Sequence, residues 1–200
     1  MKPYAIALCA ALALPACQVT QDDMSSHTVK VLVAEGHGSA VHIGSGYFVS
    51  AAHVIEGKDA IVLKDDRNRE APAQVLWANS DYDVALLRSN APDVASADME
   101  CRTPQPNEAI TLKGNPLSME YITTSGRIAG AERTSSSWQS VVPVNATILP
   151  GMSGGGAFDS DGDLVGINVG LMVMRVGMGG GPSNLGYIVP AEIVCMLTGS

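Results

Sequence analysis

The chain is written in short runs in which apolar and polar residues alternate, each closed by a glycine, a proline or a charged turn. Thr28-Val29-Lys30-Val31-Leu32-Val33-Ala34 has the period-two pattern of a half-buried strand. After a turn at Gly36 to Gly38, Ser39 to Ile43 and Gly44 to Ser50 read as two more strands. Ala60 to Lys64, a charged turn from Asp65 to Arg69, and Ala73 to Trp77 make a hairpin, and Val84 to Leu87 closes the first half. A connector with three prolines follows between Asn90 and Asn107. Strands resume at Ala109 to Lys113, Tyr121 to Ala129, Ser140 to Asn145, Leu164 to Val169 and Leu171 to Val176. Asp161-Gly162-Asp163 is a hairpin turn, and Gly177 to Gly186 reads as a Gly-rich mobile loop. Only Pro190 to Leu197 carries helix signals, with a proline in its first turn. Two runs of about six short strands predict an all-β chain of two six-stranded antiparallel β-barrels with a short C-terminal helix. The first barrel spans 28–96, the connector 97–108, and the second barrel with its helix 109–200.

The first residues follow a different rule. Lys2 is a short basic start, and Tyr4 to Ala16 is an apolar stretch too short to span a bilayer. It ends Leu14-Pro15-Ala16-Cys17, which resembles the bacterial lipobox, with Pro15 departing from the usual pattern. Residues 1–17 are therefore expected to be a signal peptide ending in a lipidated Cys17, and 18–27 a flexible tether. Gln18 is not the aspartate that retains such proteins at the inner membrane, so the expected address is the periplasm, anchored to the outer membrane. With Cys9 removed and Cys17 modified, Cys101 and Cys195 remain as an even pair in an oxidising compartment, and a disulfide between them is expected. The formal charge of −8 argues against nucleic acid as a partner.

The chemistry-bearing segment is Thr147-Ile148-Leu149-Pro150-Gly151-Met152-Ser153-Gly154-Gly155-Gly156. A serine among small residues has an accessible hydroxyl and backbone N–H groups free to face a substrate, as a nucleophile beside an oxyanion hole requires. Gly151 to Gly155 also satisfies G-x-S-x-G, the elbow of α/β-hydrolases, but those enzymes place their histidine after the serine. Here His27, His37, His42 and His53 all precede Ser153. An aspartate-before-histidine order would need Asp22 or Asp23 in the tether. The order that survives is histidine, aspartate, serine, with His53 in Ser50-Ala51-Ala52-His53-Val54 and Asp83 in Asp81-Tyr82-Asp83-Val84-Ala85-Leu86-Leu87.

On these segments the chain resembles a chymotrypsin-fold serine protease, nearest to the HtrA/Deg type of bacterial envelope proteases. Gly44-Ser45-Gly46-Tyr47-Phe48 leading to Ala51-Ala52-His53-Val54 matches the family's histidine segment, and Asp83 to Leu87 its aspartate segment. Gly114-Asn115-Pro116 with Thr124-Ser125-Gly126 matches a hairpin of the second barrel. Pro150 to Gly155 matches the serine loop, and Gly186 to Pro190 the final strand. The resemblance implies a serine endopeptidase acting on protein or peptide substrates, with no cofactor or metal. Its triad would be His53, Asp83 and Ser153, and its oxyanion hole the N–H groups of Gly151 and Ser153. Asp81 is the nearest alternative to Asp83, which is preferred because the apolar strand follows it at once.

The departures are informative. Digestive members carry an acidic residue just before the serine, which pairs with a freshly cut N-terminus; here it is Met152, so that latch is absent. Leu149 and Met152 stand where the family commonly has asparagines. No residues remain for a PDZ domain, so the resemblance covers the protease domain only. It puts Thr147 at the floor of the specificity pocket and Val169-Gly170-Leu171 along a wall, which implies cleavage after small or medium apolar residues. The alternative from another class is a catalytically silent binding module that keeps the protease fold. Asp159, Asp161 and Asp163 lack the ligand pattern of a calcium loop and read as a plain hairpin.

Overall fold

The computed structural model describes residues 27–58, 60–90, 94–176 and 179–199, and within 173–182 the backbone alone. The expected signal segment, Cys17 and nearly all of the tether lie outside the described residues. Six strands form a closed antiparallel barrel: β1 (Thr28–Val33), β2 (Gly36–Gly44), β3 (Tyr47–Ser50), β4 (Ile61–Lys64), β5 (Glu70–Asn79) and β6 (Val84–Ser89), in the order β1-β2-β3-β6-β5-β4. Alternation decides which face is inside: Val29 and Val31 of β1 share a face with Phe48 of β3 and Leu87 of β6, all with no exposure. A single helical turn, α1 (Ala52–Ile55), follows β3 and was not anticipated; its four residues are too few to show helical period.

The second half holds β7 (Ala109–Gly114), β8 (Ile122–Arg127), β9 (Val142–Val144), β10 (Gly156–Phe158), β11 (Leu164–Val176) and β12 (Gly179–Pro190), ordered β8-β7-β10-β11-β12-β9. This sheet curls so that its ends meet at an Ile128–Val144 bridge and an Asn145 N–H to Arg127 carbonyl bond of 2.7 Å. It is a curled half-barrel drawn nearly shut, the second of the two six-stranded barrels expected. Ile110, Leu112, Val142, Val144, Met152 and Ile188 fill it. Leu164, Ile167 and Val169 of β11 pack instead into the cluster of the first barrel, so this strand joins both cores.

Two expectations are corrected. The separate strands at 164–169 and 171–176 are one strand, β11, with register breaks around Gly170 and again before Val173. The Gly-rich stretch expected as a mobile loop enters β12 from Gly179, whose backbone pairs with β11 through Val176, Arg175 and Met174. Glycines weaken a strand, yet the ladder needs only their N–H and C=O groups. The chain ends in α2 (Ala191–Thr198), capped by Gly199 at φ 74°, whose N–H reaches the Cys195 carbonyl at 2.8 Å. Among the described residues no helix is long and apolar enough to cross a membrane.

Candidate active site

The α1 turn places His53. Ala51 and Ala52 are fully buried and anchor the turn, while half of the His53 side chain stays exposed. Asp83 sits where the β5–β6 connection enters β6, is 4% exposed, and holds φ at 58°, a left-handed conformation that aspartate tolerates better than most residues. Its carboxylate accepts the His53 backbone N–H at 2.9 Å and meets His53 Nδ1 at 2.7 Å. An Nδ1–H committed to a carboxylate leaves Nε2 as the free, proton-accepting nitrogen of a neutral ring. Asp81 is exposed and contributes its carbonyl, not its carboxylate, accepting the Gln139 N–H at 3.0 Å.

Ser153 comes from the other sheet. Its turn is shaped by Gly151 at φ 95° and Gly154 at φ 84°. The Pro150 carbonyl accepts the Leu117 N–H at 2.9 Å, and the Gly151 carbonyl accepts the Ser39 hydroxyl at 2.8 Å. A trans peptide sets its C=O and N–H on opposite sides, so the Gly151 N–H faces away from Leu117. The Met152 carbonyl is taken by the Gly155 N–H at 3.0 Å, which turns the Ser153 N–H the other way. Among the described residues neither the Gly151 nor the Ser153 N–H donates to a protein acceptor. Met152, expected to lack the ionic latch, is fully buried in the second core.

Ser39 and Asn115 brace this turn across the two halves. The Asn115 N–H donates to Ser39 Oγ at 3.0 Å, and its buried amide bonds Ser39 Oγ at 3.1 Å and the Val29 carbonyl at 3.3 Å. The Ser39 N–H donates to the Ser153 carbonyl at 2.8 Å. His37 stands beside the turn with Nε2 at 2.9 Å from the Asn115 carbonyl. A Cβ on Gly151 would come within 2.5 Å of that nitrogen. None of these braces is visible in sequence, because each joins residues at least 76 positions apart.

His53 and Ser153 line one cleft of about 400 Å³, with Gly151, Ile148, Gly170 and Leu171 around it. No hydrogen bond joins Ser153 Oγ to His53 among the described residues; in resting sites such bonds are commonly long. A second cavity of about 340 Å³ opens on the far side of His53, walled by Asp83, Trp138 and Val169. Of the residues expected at the specificity pocket, Gly170 and Leu171 line the first cavity and Val169 the second. Thr147 is half-buried and lines neither; Ile148 is there instead. His42 is half-buried, stacked on Phe48 and bonded to the Val94 carbonyl at 2.7 Å.

Elsewhere, Cys101 and Cys195 are brought together with Cα atoms 5.8 Å apart, within the range of a bridge. Carboxylates of Glu100, Asp159 and Asp163 cluster within 4.8 Å, the one such group of metal-ligating type among the described residues. Arg102 pairs with Glu100 at 2.5 Å and Asp159 at 2.8 Å, so two of the three carboxylates already have a cationic partner. Burial pushes the Lys113 ammonium, set over the Phe158 ring, down to about 8.

Residues 38–167 match the family described as Trypsin-like peptidase domain. A curated protein of Halomonas elongata, "Probable periplasmic serine endoprotease DegP-like", is 29% identical over 173 residues, covering 80% of this chain and 35% of that protein. "Protease Do-like 1, chloroplastic" of Arabidopsis thaliana is 32% identical over 183 residues, covering 84% of this chain and 40% of its own. The chain thus spans less than half the length of these relatives. Among solved structures, "HtrA-type protease AlgW with tripeptide" superposes with a TM-score of 0.78 at 23% identity, covering 88% of this chain and 60% of the other. The serine endoprotease from Yersinia pestis gives 0.74 at 22%, covering 88% and 62%. At such identity these two speak for the fold.

Proposed function

The chain belongs to the trypsin-like peptidase domain family, as a serine peptidase of the HtrA/DegP type, and on that premise we propose that it is an endopeptidase working through His53, Asp83 and Ser153. The observation that carries this reading is the 2.7 Å contact of His53 Nδ1 with the buried Asp83 carboxylate, on a ring whose cleft also holds Ser153. In the proposed cycle Ser153 Oγ attacks the scissile carbonyl carbon while His53 Nε2 takes its proton. Asp83 fixes the tautomer and balances the imidazolium. The carbonyl electrons move to an oxyanion held by the Gly151 and Ser153 N–H groups, each worth roughly 3–4 kcal/mol in the barrier. Collapse breaks the C–N bond, His53 protonates the leaving amine, and water repeats the sequence on the acyl-enzyme.

The substrate reading follows the cleft wall. Ile148, Gly170 and Leu171 are uncharged, which favours small or medium apolar side chains before the scissile bond. The relatives named as periplasmic support export, and the Leu-Pro-Ala-Cys17 segment supports anchoring at the outer membrane, with envelope proteins as substrates. A fluorophosphonate probe tests the chemistry. Labelling of the wild type that is lost in Ser153→Ala is the expected result; an unlabelled wild type returns the chain to the binding-module reading. Cleavage of unfolded casein separates an endopeptidase from an esterase.

A further inference from the structure

Trp138 lies 55 residues from Asp83 in sequence, in the other half of the fold, yet its indole Nε1–H donates to Asp83 Oδ2 at 3.0 Å. This is the oxygen that His53 Nδ1 approaches at 2.7 Å. The carboxylate is thereby held on three sides, the third being the His53 backbone N–H on Oδ1 at 2.9 Å. Trp138 is placed by a tight turn. The Ser135 N–H donates to the Trp138 carbonyl at 2.9 Å, and Ser135 Oγ accepts the Trp138 N–H at 3.1 Å. Behind it, Arg133 and Val141 exchange two backbone bonds of 2.9 Å, so the turn is the tip of a hairpin. That tip is fastened to the first barrel by the Gln139 N–H to Asp81 carbonyl bond of 3.0 Å, two residues before Asp83.

The ring has a second neighbour. Gly170, at the register break of β11, leaves a vacancy that the indole occupies: a Cβ there would lie 2.9 Å from the Trp138 ring edge. Tyr187, paired with Gly170 across the ladder, also meets the indole, with ring centroids 5.7 Å apart. The indole is therefore wedged between β11, β12 and the aspartate turn, so its N–H is aimed by packing rather than by a flexible side chain.

We propose that Trp138 is a positioning residue for the peptidase site: its indole N–H fixes the Asp83 carboxylate that orients His53, and its ring fills the space left by Gly170. The proposal rests on the His53–Asp83–Ser153 reading and deepens it. A neutral donor on Oδ2 shares the negative charge that would otherwise be spent on the imidazolium. Removing it strengthens the hold on protonated His53 and loosens the carboxylate's orientation. The charged or titratable groups around the two cavities that meet at His53 are Asp83 and Glu56 on one side and Glu35, His37 and Lys58 on the other. The Ser135–Trp138 turn and β11 add none there.

Trp138→Phe tests this, since it keeps a ring and removes the N–H. The expected result is a fall in kcat of about tenfold with KM unchanged. The acid limb of kcat/KM should move to higher pH, and the His53 titration midpoint, followed by NMR in a Ser153→Ala background, should rise in parallel. A wild-type pH profile and His53 midpoint in Trp138→Phe overturn the proposal. Gly170→Ala, which crowds the edge of the indole, is expected to move the midpoint in the same direction and serves if Trp138→Phe does not fold. The NMR titration needs no turnover, so an inactive wild type would defeat the peptidase reading while the His53 midpoint still decides the role of Trp138.

Discussion

Gly155 has no room for a side chain. A Cβ there would sit 2.0 Å from the Lys113 carbonyl, and one on Gly154 2.1 Å from the Ser39 carbonyl. Both contacts are with backbone, which cannot swing aside. Gly155→Ala should therefore cost about 3 kcal/mol in denaturant unfolding, and a near-neutral result would mean that the serine turn yields more than its contacts allow. Residues of this kind were legible in sequence, because glycines packed around a serine announce a constrained turn. His53 and Asp83 were legible for a similar reason: each sits in a short local motif next to an apolar strand. Trp138, Ser39 and Asn115 were not, since nothing near them in sequence hints at partners 55, 112 and 86 positions away. Long-range partners are a product of topology, and alternation fixes which face a residue takes without naming what that face will meet.

The Asn115–Tyr121 connection between β7 and β8 is the element that couples the halves. Glu120 accepts the ammonium groups of Lys30 on β1 and Lys64 on β4, both at 2.8 Å, and the Tyr121 hydroxyl donates to the Lys64 carbonyl at 2.8 Å. Bonding to Lys30, then Lys64, holds the Glu120 carboxyl below its ordinary range. The folded protein thus binds this proton less readily than the unfolded chain. Its stabilisation is full above the unfolded pKa of about 4.3 and is lost as pH falls further. Glu120→Gln should cost about 1 kcal/mol near neutrality and nothing once the wild-type carboxyl is protonated, read from denaturant curves at both ends of that range. An equal cost at both ends would show that the pairing is not what holds the connection. The same connection carries Leu117 at φ 53°, a conformation no sequence rule assigns to leucine. The Gly-rich stretch before Gly186 misled for the opposite reason: its composition signals freedom, while its backbone completes a ladder with β11.

At the scale of the whole molecule, the chain passes between the halves through one connector, β11 reaches into both cores, the Asn115–Tyr121 connection grips β1 and β4, and Cys101 lies within bridging range of Cys195 on α2. A bridge across 94 residues removes about 4–5 kcal/mol of unfolded-state freedom in the loop-entropy account. Cys101→Ser should lower stability by an amount of this order, and mass spectrometry of the oxidised protein should find no free thiol at either position. Two free thiols with unchanged stability would remove the bridge from the account. The two-part architecture was readable from strand count and turn spacing. The unequal closure of the parts was not, because it depends on which strand edges meet.

Met152 ties the site to the packing of one core. The segment bearing Ser153 is pinned by an oily plug in the second core, with no charge pair to make or break. Apolar attachment has no charge to screen, so ionic strength acts on it only through the cost of hydrating apolar surface. The turn is thus fused to the apolar interior of one half of the protein, and its shape is a gauge of how well that interior is packed.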